Sequence, residues 1–209
     1  MTRILYIGNK NYSSWSLRPF LALRMANVDF QEKMIPLRRD TTGPALAKIS
    51  PTGKVPVLVK DDLCIWDSLA ICEYAAELAP SLWPAPRSVR AQARAAAAEM
   101  HSGFTSLRTF LPMDIHGRHA PFGDASQDIA RVQALWERAL DGSGGPFLFG
   151  AFSVADAMFA PVVTRFRTYG IQTNGNVARY MAGILALPPF LEWEQAAKLE
   201  TRDFALAPA

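Results

Sequence analysis

The chain has 209 residues, half of them hydrophobic and a fifth charged, which fits a globular protein with a sizeable core and excludes a disordered one. Its 22 basic and 19 acidic residues give a formal charge of +3. They are scattered, with Arg38-Arg39 the longest basic cluster, which argues against a nucleic-acid site. No apolar run approaches the ~18 residues that span a bilayer, and Met1-Thr2-Arg3 opens no export signal. Cys64 and Cys72 are too few for a disulfide framework, and with His101, His116 and His119 they show no metal-ligand spacing. The expectation is a cytoplasmic protein with no membrane, nucleic-acid or metal partner.

In chain order, Arg3 to Ile7 predicts a short buried strand, followed by the turn residues Gly8-Asn9-Lys10-Asn11. A helix is predicted from near Ser16, with Leu17, Leu21 and Met25 on one face and Asn27 as its stop. Phe30 to Leu37 predicts a second strand, and a short helix is expected around Pro44 to Ile49. After the turn cluster Ser50-Pro51-Thr52-Gly53, Val55 to Val59 and Leu63 to Trp66 predict a hairpin across Lys60-Asp61-Asp62. Ser68 is expected to cap a helix in which Ile71, Tyr74, Ala75 and Leu78 repeat at i, i+3, i+4, i+7. The order βαβαββα is the thioredoxin arrangement.

Pro80 to Pro86 carries three prolines and no periodicity, so a linker there separates residues 1–79 from an all-helical unit, 87–209. One long Ala- and Arg-rich helix is predicted over Ser88 to Leu111, stopped or kinked by Pro112. Ile129, Val132, Trp136, Ala139 and Leu140 form the next helical face, closed by Gly142, Gly144 and Gly145. Further helices are predicted from Ser153 and after Pro188-Pro189, the first of them bent at Pro161. The fold class is therefore α/β followed by all-α.

Three places carry chemistry. A dithiol enzyme of thioredoxin arrangement has CxxC at the start of its first helix, but this chain has Ser13-Ser14-Trp15-Ser16. A hydroxyl there suits the sulfur anion of a ligand, so the thiol is borrowed rather than built in. Val55, forced extended by Pro56, offers its backbone N–H and C=O as an edge for an extended peptide, and a cis Val55–Pro56 bond is expected. At Asp67-Ser68 a hairpin gives way to a helix, where the Ser68 hydroxyl and unpaired N–H groups suit a carboxylate and Asp67 suits an ammonium. The γ-glutamyl end of glutathione presents both.

Each place has a plainer alternative. Ser13 is otherwise a helix cap, Pro56 an edge-strand proline and Asp67 a surface charge. Tyr12 is a rival hydroxyl, Tyr6 a weaker one inside the strand, and Arg18 either pairs with a carboxylate near the site or is solvated. Ser153 and Asp156 form a reciprocal cap that serves folding. Cys64 and Cys72 are expected to be small buried residues.

Taken together, these segments resemble the glutathione transferase family. Ser13-Ser14-Trp15-Ser16-Leu17-Arg18 is similar to the serine-type active-site motif of the zeta class, the maleylacetoacetate isomerases, with Trp15 where that motif has cysteine. Ser50-Pro51-Thr52-Gly53-Lys54-Val55-Pro56 resembles the glutathione-backbone loop and Asp67-Ser68-Leu69-Ala70-Ile71 the γ-glutamyl motif. Phe147-Leu148-Phe149-Gly150 with Ser153-Val154-Ala155-Asp156 resembles the family's helix-capping box.

The resemblance implies a transferase that uses glutathione as co-substrate. Ser13, helped by Ser14, would hold the thiolate; Val55 would bind the cysteinyl backbone, with Lys54 and Pro56 also at the glutathione site; Asp67 and Ser68 would hold the γ-glutamyl group. A small hydrophobic electrophile is expected between the two halves, against Phe104, Leu107, Phe110 and Leu111. Glutathione-dependent isomerase or peroxidase activity, or a non-catalytic binding module, are the other readings. The resemblance also implies a homodimer, for which the Ala-rich stretch Ala91 to Ala98 would allow close helix approach.

Overall fold

The computed structural model describes residues 2–201. Four strands, β1 (Arg3–Ile7), β2 (Phe30–Met34), β3 (Val57–Lys60) and β4 (Leu63–Trp66), form one sheet in the order β2-β1-β3-β4. β1 and β2 run parallel across the α1 crossover (Ser14–Met25), while β3 lies antiparallel to both β1 and β4. Leu5, Ile7 and Leu58 point into the core. α2 (Thr42–Leu46) is a short turn of helix, and α3 (Ser68–Leu78) closes the βαβαββα unit. A 3-10 turn (Pro80–Leu82) then leads into a half whose regular elements, among the described residues, are helices.

Those helices are α4 (Arg87–Ser102), α5 (Thr105–Phe110), α6 (Ser126–Asp141), α7 (Val154–Thr168), α8 (Gly175–Leu185) and α9 (Pro188–Lys198). α7 is their hub. It is almost wholly buried and packs against α1, α3, α4 and α8. α1 packs against α3 on one side and α7 on the other, with Leu17, Phe20 and Leu21 fully buried. The serine-bearing end of α1 is therefore fixed by both halves of the protein.

Several boundaries differ from the sequence expectations. β2 stops at Met34, although Ile35 N–H still bonds Ile7 C=O at 2.8 Å, because Pro36 has no N–H to continue the ladder. For the same reason β3 starts at Val57 rather than Val55. α1 begins at Ser14, two residues before the expected start.

The largest correction concerns the expected long helix from Ser88 to Leu111, which is two helices. Gly103 N–H bonds Glu99 C=O at 2.8 Å, and Phe104 then adopts a left-handed conformation, φ 56°. The backbone reverses there, and Asp128 accepts the freed Leu107 N–H at 2.8 Å. Pro161, by contrast, does not interrupt α7, which runs on to Thr168.

Candidate functional site

The loop 8–13 that delivers the serines is held from the helical half. The carboxylate of Glu200 accepts the N–H groups of Lys10 and Asn11 at 2.6 and 3.1 Å. Asn11 Nδ2 donates to Asp114 at 2.8 Å, and Trp193 Nε1 donates to the Lys10 carbonyl at 2.8 Å. These partners lie far away in sequence, so the loop's position is set by tertiary structure.

Ser13 is the N-terminal flanking residue of α1, yet its side chain does not cap the helix. Its hydroxyl donates to Ser16 Oγ at 2.8 Å, and Ser16 Oγ also accepts the Gly8 N–H at 3.1 Å. Ser14, the first helical residue, accepts instead from Arg165 Nη2 at 3.2 Å. Both serines are largely buried, and Trp15, the next residue, opens onto a cleft of about 450 Å³. Tyr6 is in β1, with the Lys33 ammonium near its ring; Tyr12 is half-buried in the loop.

The cleft brings together Lys54, Val55, Pro56, Asp67 and Ser68 with Trp15, Thr52, Trp66 and His101. One wall is the segment before β3. Here Ser50 Oγ bonds both the N–H and the C=O of Lys54, which holds the loop open, and the Val55–Pro56 peptide is cis, as is Trp66–Asp67. Among the described residues Val55 N–H and C=O have no hydrogen-bond partner, leaving one free peptide edge.

The opposite wall is the start of α3, where the expected roles of two neighbours are exchanged. Asp67, not Ser68, is the cap: its Oδ1 accepts from Leu69 N–H at 2.8 Å and Ala70 N–H at 3.4 Å. Asp67 is extended and Ser68 already helical, so only Asp67 can reach the second and third N–H groups. Asp67 Oδ2 lies 3.2 Å from His101 Nε2. Ser68 is buried and its hydroxyl has no partner among the described residues, an unpaired donor beside the cleft.

Sequence reasoning left Arg18 undecided and missed Arg165 and His101. Arg18 is fully buried, stacks on Trp15 with its guanidinium carbon 4.3 Å from the ring centre, and none of its three nitrogens has a partner among the described residues. Burial, then the Arg165 charge, pulls its pKa down to about 9. Arg165 is also buried, and burial followed by the charge of Arg108 brings it to about 10. Arg108 is partly buried, 5.5 Å from the Trp15 ring centre. Positive charge thus converges on the start of α1.

Of the residues expected to seat an electrophile, Leu107 and Leu111 are fully buried and Phe104 packs on Phe159 in the helical core. Because the chain turns at Gly103, these side chains face inward and not into the cleft. Phe110 is partly buried against the same core. Among the described residues no cluster of His, Cys, Asp or Glu is arranged to hold a metal, and no helix is long and apolar enough to cross a membrane.

This geometry can be set beside known proteins. Residues 12–78 match the profile of the glutathione S-transferase N-terminal domain and residues 90–196 that of its C-terminal domain. The chain belongs to the glutathione S-transferase family. It is 31% identical to a probable maleylacetoacetate isomerase of Caenorhabditis elegans, over 90% of this chain and 91% of that protein. Against the maleylacetoacetate isomerase of Rattus norvegicus the identity is 26%, over 90% and 89%. A glutathione transferase homologue from Burkholderia, solved with bound glutathione, superposes with a TM-score of 0.74 at 25% identity, covering 95% of this chain and 99% of that one. The thioredoxin-like sheet followed by a helical half is thus the family's fold.

Proposed function

We propose that this glutathione S-transferase binds glutathione in the Trp15–His101 cleft and activates its thiol with a serine hydroxyl at the start of α1. The observation that carries the reading is a set of groups around one cleft: the free peptide edge of Val55, the orphan Ser68 hydroxyl and the Asp67 carboxylate, whose Oδ2 meets His101. An extended tripeptide fills them in order. Its cysteinyl backbone pairs with Val55, its γ-glutamyl carboxylate takes the Ser68 hydroxyl, and its ammonium takes Asp67, displacing or sharing His101.

The thiol then lies toward Ser13 and Ser14, at the positive end of α1. A cysteine-type thiol has a solution pKa near ~8.5, and lowering it by about two units takes ~2.7 kcal/mol of preference for the anion. A charge-assisted hydrogen bond together with the helix N-terminus supplies that amount. The thiol proton passes to solvent, and the thiolate attacks a small electrophile held between the halves, near Trp15, His101 and Arg108. Transfer of glutathione is the first reading. The relatives named maleylacetoacetate isomerase favour a second, in which glutathione adds and leaves again. Product analysis with an aryl halide and with maleylacetoacetate separates the two.

Calorimetry tests the site. Wild type is expected to bind glutathione, and Asp67→Ala to weaken it at least tenfold. No binding to wild type at millimolar glutathione overturns the reading. We also propose a cytoplasmic homodimer, supported by the exposed apolar Leu63, Trp66 and Leu78 on the sheet half and the small exposed residues Ala91, Ala95 and Ala98 along α4. Light scattering should then give twice the chain mass of 23.0 kDa.

A further inference from the structure

Two serines stand at the start of α1, and their hydrogen bonds are not equivalent. A hydroxyl has one proton to give. The proton of Ser13 is engaged inside the protein, because its hydroxyl donates to Ser16 Oγ at 2.8 Å. Ser16 Oγ in turn fixes the Gly8 N–H at the end of β1, so turning Ser13 outward would loosen the loop that carries it. Ser14 is the reverse case. Its oxygen accepts from Arg165 Nη2 at 3.2 Å, and among the described residues its own proton has no acceptor.

Arg165 is held so that little else is possible. Its Nε donates to the Leu111 carbonyl at 2.8 Å and its Nη1 to the Pro161 carbonyl at 3.2 Å. The planar fork fixes the third donor, Nη2, in direction as well as place. Among the described residues neither Arg165 nor Arg18 beneath Trp15 is ion-paired to a carboxylate; the acid that Arg18 feels, Asp67, is already engaged by the start of α3 and by His101. Two buried cations with no ion-pair partner of their own are costly unless an anion arrives. Next to Ser14, the Trp15 N–H also lacks a hydrogen-bond partner among the described residues, so a hydroxyl and a backbone donor sit side by side at a helix N-terminus.

We infer that Ser14, rather than Ser13, holds the glutathione sulfur, and that Arg165 is its positioning residue, turning the Ser14 proton toward the ligand. This rests on the glutathione-binding reading above and goes one step further. Arg165 occupies a lone pair of the Ser14 oxygen, so the hydroxyl must point its proton away from α7. Binding a cation at the oxygen also makes the O–H a stronger donor. When the thiol S–H gives its proton to solvent, the sulfur anion accepts from the Ser14 O–H. No proton is taken by the serine, and Arg165 never touches the ligand. The other charges facing this point are Arg18 on α1, Arg108 on α5, His101 on α4 and Asp67 before α3.

The test is the ultraviolet absorbance of the bound thiolate as a function of pH, read at saturating glutathione. Ser14→Ala and Arg165→Gln are each expected to raise the thiol pKa by one to two units, a 10- to 100-fold change in the acid constant and roughly a 3- to 25-fold loss of thiolate at pH 7. Ser13→Ala is expected to raise it by less than Ser14→Ala. In the double variant Ser14→Ala/Arg165→Gln the shift should equal that of Ser14→Ala alone, since a positioning residue acts only through its partner. Arg165→Lys keeps the charge but not the fork and should recover less than half of the shift.

A larger shift from Ser13→Ala than from Ser14→Ala overturns the assignment of the serine. Additive shifts in the double variant, or full rescue by lysine, overturn the positioning role in favour of bare charge. Should Arg165→Gln not fold, the same comparison is made with Arg165→Lys, whose wild-type thiol pKa would equally overturn it. Failure of wild type to bind glutathione is a separate outcome, and sinks the underlying reading as well.

Discussion

Two buried charges sit on α7, and their surroundings differ. At its N-terminus, the Asp156 carboxylate is fully buried and saturated: it accepts Leu148 N–H at 3.1 Å, Ser153 N–H at 2.8 Å and the Ser153 hydroxyl at 2.9 Å. Toward the other end, Arg165 makes three hydrogen bonds of its own but is crowded by the like charges of Arg18 and Arg108, and Arg18 has no hydrogen-bond partner among the described residues. A charge that serves folding is enclosed by groups that satisfy it. A charge left open at a domain boundary points to something the chain does not itself contain.

If that contrast holds, Asp156→Ala should give the largest loss of stability. It strands three buried donors, and breaking a buried charged network costs roughly 3–5 kcal/mol. For a chain of this size the melting temperature should drop by about 10 °C, read from a thermal melt. A loss under about 1 kcal/mol would break the contrast, since Asp156 would then be no better satisfied than Arg18.

The next effect is in pH. Burial raises the Asp156 pKa to about 6 in spite of its hydrogen bonds, whereas an unfolded aspartate titrates near ~3.9. Between those values the folded chain binds the proton and the unfolded chain releases it. Stability from this group is therefore fully present below about pH 4 and is lost as pH rises through 6, at up to ~1.4 kcal/mol per unit. Denaturant titrations at pH 4.5 and 6.5 read the slope, and Asp156→Asn should abolish this part of it.

The break between α4 and α5 gives a smaller effect and shows where sequence reading stops. A Cβ at Gly103 would lie 2.8 Å from the Glu99 carbonyl oxygen, a backbone atom that cannot step aside. Gly103→Ala should cost about 1–3 kcal/mol, measured by chemical denaturation. The long apolar pattern over Ser88 to Leu111 is helical on both sides of that point, so periodicity alone reads through it. Gly103 was visible as a residue, but its role depends on Asp128, 21 residues away from the Leu107 N–H it accepts.

The same division runs through the site. The chain order, the capping box at Ser153 and Asp156, and the cis bond before Pro56 rest on neighbours in sequence, and local pattern carried them. Arg165 meets Ser14 across 151 residues, and Asp67 meets His101 from another helix. No local pattern reports such a meeting. The exchange of caps between Asp67 and Ser68 was lost for a finer reason: both residues favour the position, and only the extended backbone of Asp67 decides it.

Arg18→Met should have the smallest effect on stability and is the sharpest test of the contrast. Removing the guanidinium forfeits its stacking on Trp15, worth about 0.5–2 kcal/mol. It also relieves an unpaired buried charge and the repulsion from Arg165, which burial without a partner makes costly. The unbranched thioether fills the same channel. The two terms nearly cancel, so the free protein should change by no more than about 1 kcal/mol in denaturant titration, in either direction. Glutathione should, however, stabilise this variant less than wild type, because the bound anion loses a nearby cation that has no hydrogen-bond partner among the described residues. A loss of 3 kcal/mol in the free protein would mean that Arg18 is already paired, and the open charge at the domain boundary would need another explanation.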